Sequence, residues 1–312
     1  MYQDKIGEIY PSEKGWWIQY RPTACLHVTG EDALTFLQGQ FTQELRSSAT
    51  CPLAYGLWLN QKGKVLADGF VLREAVDNLW IISFSSGAAV IRERLEAYVI
   101  ADDVVIEDVT ADWMGCAMGG PEAAAWLAHE AGGVPKEGEF LRTEGGGFVF
   151  RGRRGDGVSY EWIAPSSAKT AGLGGAPMTL QELERMRIAA GFPQVPQDIG
   201  PGDLPNEGGL DVIGVSFTKG CYLGQEVMAR LKAMGTVRRR LVRVRATACM
   251  SPSVPCALLQ GERRVGELRS AVADGAGGFI GLAMVAKLGL EPQALLAAEP
   301  GGAGFIELLE QP

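Results

Sequence analysis

Within the twelve residues from Lys219 to Arg230 the chain sets an ammonium (Lys219), a thiol (Cys221), a phenol (Tyr222), an amide (Gln225), a carboxylate (Glu226) and a guanidinium (Arg230), with Gly220 and Gly224 between them. Glycine permits backbone angles and close approaches that a Cβ forbids, so the stretch reads as a working site. Cys221 follows Lys219 and precedes a helix predicted to begin near Gly224. A thiol beside an ammonium and at a helix N-terminus gains thiolate character, which suits a nucleophile or a soft metal ligand. The plainer alternative is a small buried hydrophobe. Gln225 and Glu226 can cap backbone donors in the first helical turn. Arg230 shares a face with Glu226 at i,i+4, where an exposed ion pair adds only about 0.2–0.5 kcal/mol. Tyr222 can stack on a ligand ring or simply pack.

The rest of the chain must position these groups. Its 312 residues suggest two or three domains. At 46% hydrophobic and 21% charged the composition is globular, and a net charge of −8 argues against a general nucleic-acid-binding surface. The local basic run Arg238, Arg239, Arg240, Arg243 and Arg245 reads instead as the solvated face of a strand. The six cysteines (Cys25, Cys51, Cys116, Cys221, Cys249, Cys256) form no CxxC pair, and only His27 and His129 could join them. No structural zinc site is therefore predicted. The segment MYQDKIGEIYPSEKG has no basic-then-apolar pattern of a signal peptide, and no apolar run approaches the ~20 residues of a membrane span. A reducing cytoplasm with free thiols is the expected compartment.

Taken in order, Trp16–Tyr20 and Ala24–Val28 read as short strands. Thr29 is the predicted N-cap of a helix whose buried stripe is Ala33, Leu34, Phe36, Leu37 and Phe41, with Gln38-Gly39-Gln40 on the opposite side or at its end. Leu53–Leu59 and Lys64–Leu72 form a hairpin about Asn60-Gln61-Lys62-Gly63, followed by a strand at Leu79–Phe84. Asp68 lies within that hairpin, on a wet face or aimed into a cleft. Val90–Val99 is predicted helical with Arg92, Glu93, Arg94 and Glu96 outward. Strands at Val104–Val109 and Trp113–Met118, a helix at Pro121–Ala131, and strands near Phe148–Arg151 and Val158–Ala164 follow, with Gly145-Gly146-Gly147 as a turn. Thr179 and Glu182 make a capping box for a helix ending at Gly191. Phe192–Asp211 is a long Pro- and Gly-rich connection of the kind that carries function, leading to a strand-like run at Val212–Phe217. Beyond Gly235 helix signals nearly vanish and short strands alternate with turns, as in a small β-barrel. The pattern predicts an α+β core over residues 1–234 and a C-terminal barrel over 235–312.

KGCYLGQEVMAR resembles the signature of the YgfZ family of folate-binding proteins, related in fold to the aminomethyltransferase (T-protein) of the glycine cleavage system. Gly30–Thr42, Asn60–Asp68, Arg187–Pro193 and Pro205–Lys219 match in the same order. The resemblance implies a cloverleaf of subdomains, two of them interleaved, around a central channel holding tetrahydrofolate or a one-carbon derivative. It also implies service to iron–sulfur client proteins, including radical enzymes that modify tRNA, without direct contact with nucleic acid or membrane. In that setting Cys221 is the reactive thiol, and Lys219, Tyr222, Gln225, Glu226, Arg230 and Asp68 face the folate. Gln225 and Glu226 would meet the donor–acceptor edge of the pterin, and Asp68 would take the place of the carboxylate that orients the reacting nitrogen in aminomethyltransferases. The alternative is a folate-dependent aminomethyl or one-carbon transferase. Against it, those enzymes carry a Glu just before an Asp-Gly pair, whereas this chain reads Arg153-Arg154-Gly155-Asp156-Gly157.

Overall fold

The computed structural model describes residues 14–48, 52–169, 172–235, 237–247, 252–291, 295–298 and 305–310. Cys51, Cys249 and the N-terminal segment 1–13 lie outside the described residues. The chain enters one sheet with β1 (Trp16–Tyr20) and leaves it at once. It then builds a second sheet from β2 (Ala24–Thr29), β3 (Leu53–Leu59), β4 (Val65–Ala75), β5 (Asn78–Ser83) and β6 (Val105–Asp108), with helices α1 (Ala33–Gln40) and α2 (Ala88–Glu96) between them. That sheet is antiparallel throughout, in the order β3-β4-β5-β2-β6. The chain returns to the first sheet with β7 (Trp113–Gly119), α3 (Pro121–Glu130), β8 (Phe140–Arg142), β9 (Phe148–Arg151), β10 (Ser159–Pro165) and β11 (Ala176–Pro177), giving the order β11-β1-β7-β10-β9-β8. The α+β class is thus realised as two interleaved sheets.

Alternation along the second sheet explains how the two sheets meet. Leu26, Val28, Val71, Leu79 and Ile81 face α1 and α2, where they pack with Phe36, Leu37, Ile91 and Leu95. Their neighbours Cys25, Phe70, Leu72, Trp80 and Ile82 face the other way and pack on Trp113, Phe148 and Phe150 of the first sheet. A strand buried on both faces reads as one apolar run, as Leu79–Phe84 does. Each such buried side chain contributes about 1.5–3 kcal/mol.

Helices α4 (Leu180–Ala189), α5 (Leu210–Gly214) and α6 (Gln225–Met234) lead to a third, antiparallel sheet. Its strands β12 (Arg239–Ala246), β13 (Cys256–Gln260), β14 (Arg263–Ala273), β15 (Phe279–Ala286) and β16 (Ile306–Leu308) follow the order β13-β14-β15-β12-β16. The sheet curls, and Leu296–Ala297 joins its edges through bridges to Leu259 of β13 and Ile306 of β16. The capping box that opens α4 is present, with Glu182 N donating to Thr179 Oγ1 and Thr179 N to Glu182 Oε2.

Three local expectations are corrected. Thr29 ends β2, and the residue before α1 is Asp32, which makes no side-chain cap. Arg94 is buried rather than outward, donating to Leu59 O at 3.2 Å and to Gln40 Oε1 at 3.0 Å over the face of Tyr98. Residues 210–214 are a short helix, not part of a strand. Gln38-Gly39-Gln40 ends α1, one of the two placements expected, and Gln38 is buried there, accepting from Leu45 N at 2.9 Å. For Arg94, partners distant in sequence outweigh the local pattern.

Candidate functional site

The Lys219–Arg230 stretch runs along the C-terminal end of α1 and onto the tip of the β3–β4 hairpin. Leu223 N donates to Gly39 O at 3.2 Å. Gly63 at the hairpin tip has φ +70°, and a Cβ there would lie 2.9 Å from Val227 of α6. Gly224 has φ +88°, and its Cβ would lie 3.0 Å from Asn60 O. These two glycines allow hairpin and helix to touch, which ties the stretch to the second sheet.

Most of its polar groups are engaged structurally. Lys219 is buried and donates to Gln38 O and Phe41 O at 2.7 Å and to Gln43 O at 2.9 Å. An ammonium has three donors, so none remains for a thiolate or a cofactor; this corrects the placement of Lys219 in the ligand shell. Tyr222 packs in the cluster that joins hairpin, α4 and third sheet, with Leu57, Met228 and Leu282, and its hydroxyl has no hydrogen-bond partner among the described residues. Burial raises its pKa to about 12. Glu226 and Arg230 form an i,i+4 pair at 3.1 Å with both side chains exposed, 88% and 67%. Gln225 opens α6, half-buried. Cys221 is an exposed free thiol. None of these six residues lines the groove of about 790 Å3 or the cavity of about 380 Å3 described below.

Asp68 lies elsewhere, on the wall of a cavity of about 380 Å3 formed by β4, the β5–α2 turn, the Arg153–Arg154 turn and α4. Its position on β4, opposite Leu57 in the hairpin register, turns the carboxylate toward Tyr55 and Ser86. Tyr55 Oη donates to Asp68 Oδ2 at 2.9 Å and Ser86 Oγ to Oδ1 at 2.8 Å. Burial pushes the Asp68 pKa up, partly offset by those two hydrogen bonds and by the charge of Arg153. Burial likewise holds the Tyr55 hydroxyl well above its ordinary value. Of the predicted site residues, Asp68 is thus the one at a cavity, apart from the motif.

The sequence reading missed the cavity's other functional groups. Arg153 lies over the rings of Tyr55 and Phe192, at 4.5 and 5.1 Å. Arg154 makes a bidentate pair with the fully buried Glu161, at 2.6 and 3.2 Å, and lies over Tyr20 and Phe84. Tyr20 Oη donates to Glu161 Oε2 at 2.5 Å. Burial, with Glu161 adding to it, raises the Tyr20 pKa. The available signal was two successive arginines in a turn before a strand that buries a glutamate, Ser159-Tyr160-Glu161-Trp162. Such a glutamate needs a cation. Among the described residues no three His, Cys, Asp or Glu side chains converge in metal-ligand geometry, and no helix is long and apolar enough to cross a membrane.

Comparison with known proteins places these features. Residues 19–138 match the GCVT N-terminal domain, the span that contains Tyr20, Tyr55 and Asp68. The chain is 29% identical over 283 residues to the human mitochondrial iron-sulfur cluster assembly factor IBA57, covering 83% of this chain and 74% of that one. It is 28% identical over 251 residues to the tRNA-modifying protein YgfZ of Vibrio vulnificus, covering 77% and 72%. Its fold matches the glycine cleavage system aminomethyltransferase T from Bartonella henselae with a TM-score of 0.78 at 18% identity, over 94% of this chain and 84% of that one.

Proposed function

We propose that this chain, a GcvT-like protein of the YgfZ type, binds a reduced folate beside Asp68 and serves the assembly or maintenance of iron–sulfur proteins, tRNA-modifying enzymes among them. The observation that carries the folate reading is the Asp68 carboxylate, held on both oxygens by Tyr55 and Ser86 at the wall of an aromatic cavity. The donor set suits a folate. A reduced pterin offers a flat edge of donors and acceptors, and the benzoyl-glutamate end offers carboxylates. Asp68 supplies acceptors for the edge, Tyr55, Phe84 and Phe192 supply ring faces, and Arg153 supplies a cation. The volume of about 380 Å3 lies within the ~300–1,000 Å3 usual for small-molecule sites.

When bound, the reduced folate would supply a one-carbon unit or an oxidisable ring. The chain's own residues hold and orient it. Tyr55 and Ser86 fix the plane of Asp68, so its carboxylate meets the ligand in one orientation. Glu161 and Tyr20 lock Arg154, so the cavity wall stays rigid. The iron–sulfur half of the reading draws on the names of the relatives and on the exposed thiol of Cys221. A cytoplasmic setting agrees with its free cysteines. Aminomethyl transfer is the weaker reading. Gly155 precedes Asp156-Gly157 where those enzymes carry Glu, and a Cβ there would lie 2.6 Å from Met186 Cγ, so a Glu would have to displace the Met186 side chain.

Calorimetric titration with 5-formyltetrahydrofolate tests the folate site. Wild type is expected to bind at micromolar concentrations, and Asp68→Asn, which keeps the shape and removes the charge, to bind at least tenfold more weakly. Equal affinity in the two proteins would remove Asp68 from the site. Wild type giving neither heat nor a thermal shift with several reduced folates would remove the cofactor.

A further inference from the structure

Arg153 stands where two cavities meet. Beside the cavity that holds Asp68 runs a groove of about 790 Å3, between the β3–β4 edge and the turn from Arg151 to Ser159. The two share Tyr55, Phe70 and Arg153 in their walls. Tyr55 and Phe70 are fixed: their rings pack at 5.2 Å, and the Tyr55 hydroxyl is committed to Asp68. Arg153 is held only loosely. Among the described residues no carboxylate stands within ion-pair distance of it, since the nearby Asp68 gives its oxygens to Tyr55 and Ser86. What retains it is the pair of ring faces of Tyr55 and Phe192, with a polar contact to the Tyr55 hydroxyl and the charge of nearby Asp68. Each cation–π contact of this kind is worth only about 0.5–2 kcal/mol. Its neighbour Arg154 shows the opposite arrangement, with two bonds to Glu161 and two rings beneath it.

We propose that Arg153 is the specificity-determining partition of the folate site: its guanidinium fills a slot against the faces of Tyr55 and Phe192 in the free protein, and on binding the flat ring of the ligand takes that slot while Arg153 turns to the ligand's carboxylates in the groove. The inference rests on the folate reading above. A planar cation lying over two ring faces holds a place that another flat group can take. A folate carries its ring at one end and its carboxylates at the other, and joining the two cavities gives it one continuous path. In the groove, Arg73 already donates to Ser47 O at 2.6 Å and Arg151 to Pro135 O at 3.3 Å, while Glu44, Glu137 and Asp156 line the same wall. Arg153, which lies on the wall that both cavities share, is the cation there that can turn from the ring faces to a carboxylate in the groove.

Two probes separate the slot from the charge: 5-formyltetrahydrofolate, which carries carboxylates, and 6-methyltetrahydropterin, which carries the ring alone. Each is titrated calorimetrically into wild type, Arg153→Ala and Arg153→Gln, with melting curves to establish that the variants are folded. In Arg153→Ala the folate is expected to bind about tenfold more weakly, about 1.4 kcal/mol, and the pterin as tightly as in wild type or more so, because no side chain has to leave the slot. In Arg153→Gln, whose amide can still occupy the slot, the folate weakens and the pterin gains nothing. Equal losses for both probes, or no change for either, overturn the partition. Wild type binding neither probe fells the folate reading, and this inference with it.

Discussion

Replacing Lys219 by methionine keeps most of the apolar stem and deletes one ammonium. That side chain is 7% exposed and donates to Gln38 O, Phe41 O and Gln43 O. The substitution strands two buried carbonyls and one half-buried one. A buried acceptor left unsatisfied costs about 1–3 kcal/mol. Part of that loss is returned, because the native state no longer has to bury a cation. The expected net destabilisation is about 3 kcal/mol, which at roughly 2–4 °C per kcal/mol lowers Tm by about 6–12 °C in scanning calorimetry. Affinity for reduced folate in the folded variant is expected to match wild type, because Lys219 lines neither cavity. A variant that melts with wild type yet loses the folate would return Lys219 to the ligand and refute the clamp.

The same variant has a pH signature. Burial pushes the Lys219 pKa from 10.5 down to about 8, with Glu44 pulling the other way; the three carbonyls, which favour the charged form, pull the same way as Glu44. With the folded pKa below the unfolded one, the unfolded chain binds more protons between the two values. Lys219's contribution to stability therefore rises as pH climbs from about 8 to 10.5 and is lost as pH falls through about 8. Methionine has no such slope, so the Tm gap between wild type and variant should widen from neutral pH into that window. A flat gap would mean that the carbonyls outweigh burial and hold the ammonium at its ordinary pKa.

Two further substitutions test the remaining assignments. Glu161→Gln leaves the Arg154 guanidinium without its counter-charge in a site where the glutamate is fully buried; breaking such a pair costs about 3–5 kcal/mol, measured by urea denaturation, and an unchanged midpoint would mean that the pair does not hold the cavity wall. Cys221→Ser is expected to leave both melting temperature and folate affinity unchanged, because the thiol is exposed, while abolishing support of iron–sulfur proteins in cells; rescue of an iron–sulfur-deficient strain by the serine variant would show that the thiol is dispensable.

Short apolar runs bounded by turn residues made the strands of the second sheet legible, because both of its faces are buried. Local chemistry made the capping box at Thr179 and the hairpin at Gly63 legible, since every participant lies within a few residues. Long-range satisfaction was not legible. The carbonyls that hold Lys219 are 176 to 181 residues away, and the acceptors of Arg94 are 35 and 54 away. A local reading sees only a charged residue and assigns it to solvent or to a ligand. The Arg153-Arg154 pair was hidden in the same way: the rings and the glutamate that seat the two cations lie on other elements of the fold.

The motif from Lys219 to Arg230 shows how polar density misleads. A run of polar groups signals chemistry only after its structural duties are subtracted. Lys219 closes the end of α1, Tyr222 fills the core between hairpin and third sheet, and Glu226 pairs with Arg230 in solvent. Gly224 lets α6 touch the hairpin. What remains is Cys221, exposed on a loop pinned at both ends, with the half-buried Gln225 beside the helix start. A thiol that had to meet a large partner, rather than a small molecule in a cavity, would need this combination of exposure and fixed backbone. The cavity proposed for folate and the thiol are then two places joined by the β3–β4 hairpin, which carries Tyr55 and Asp68 on its strands and bears the motif at its tip.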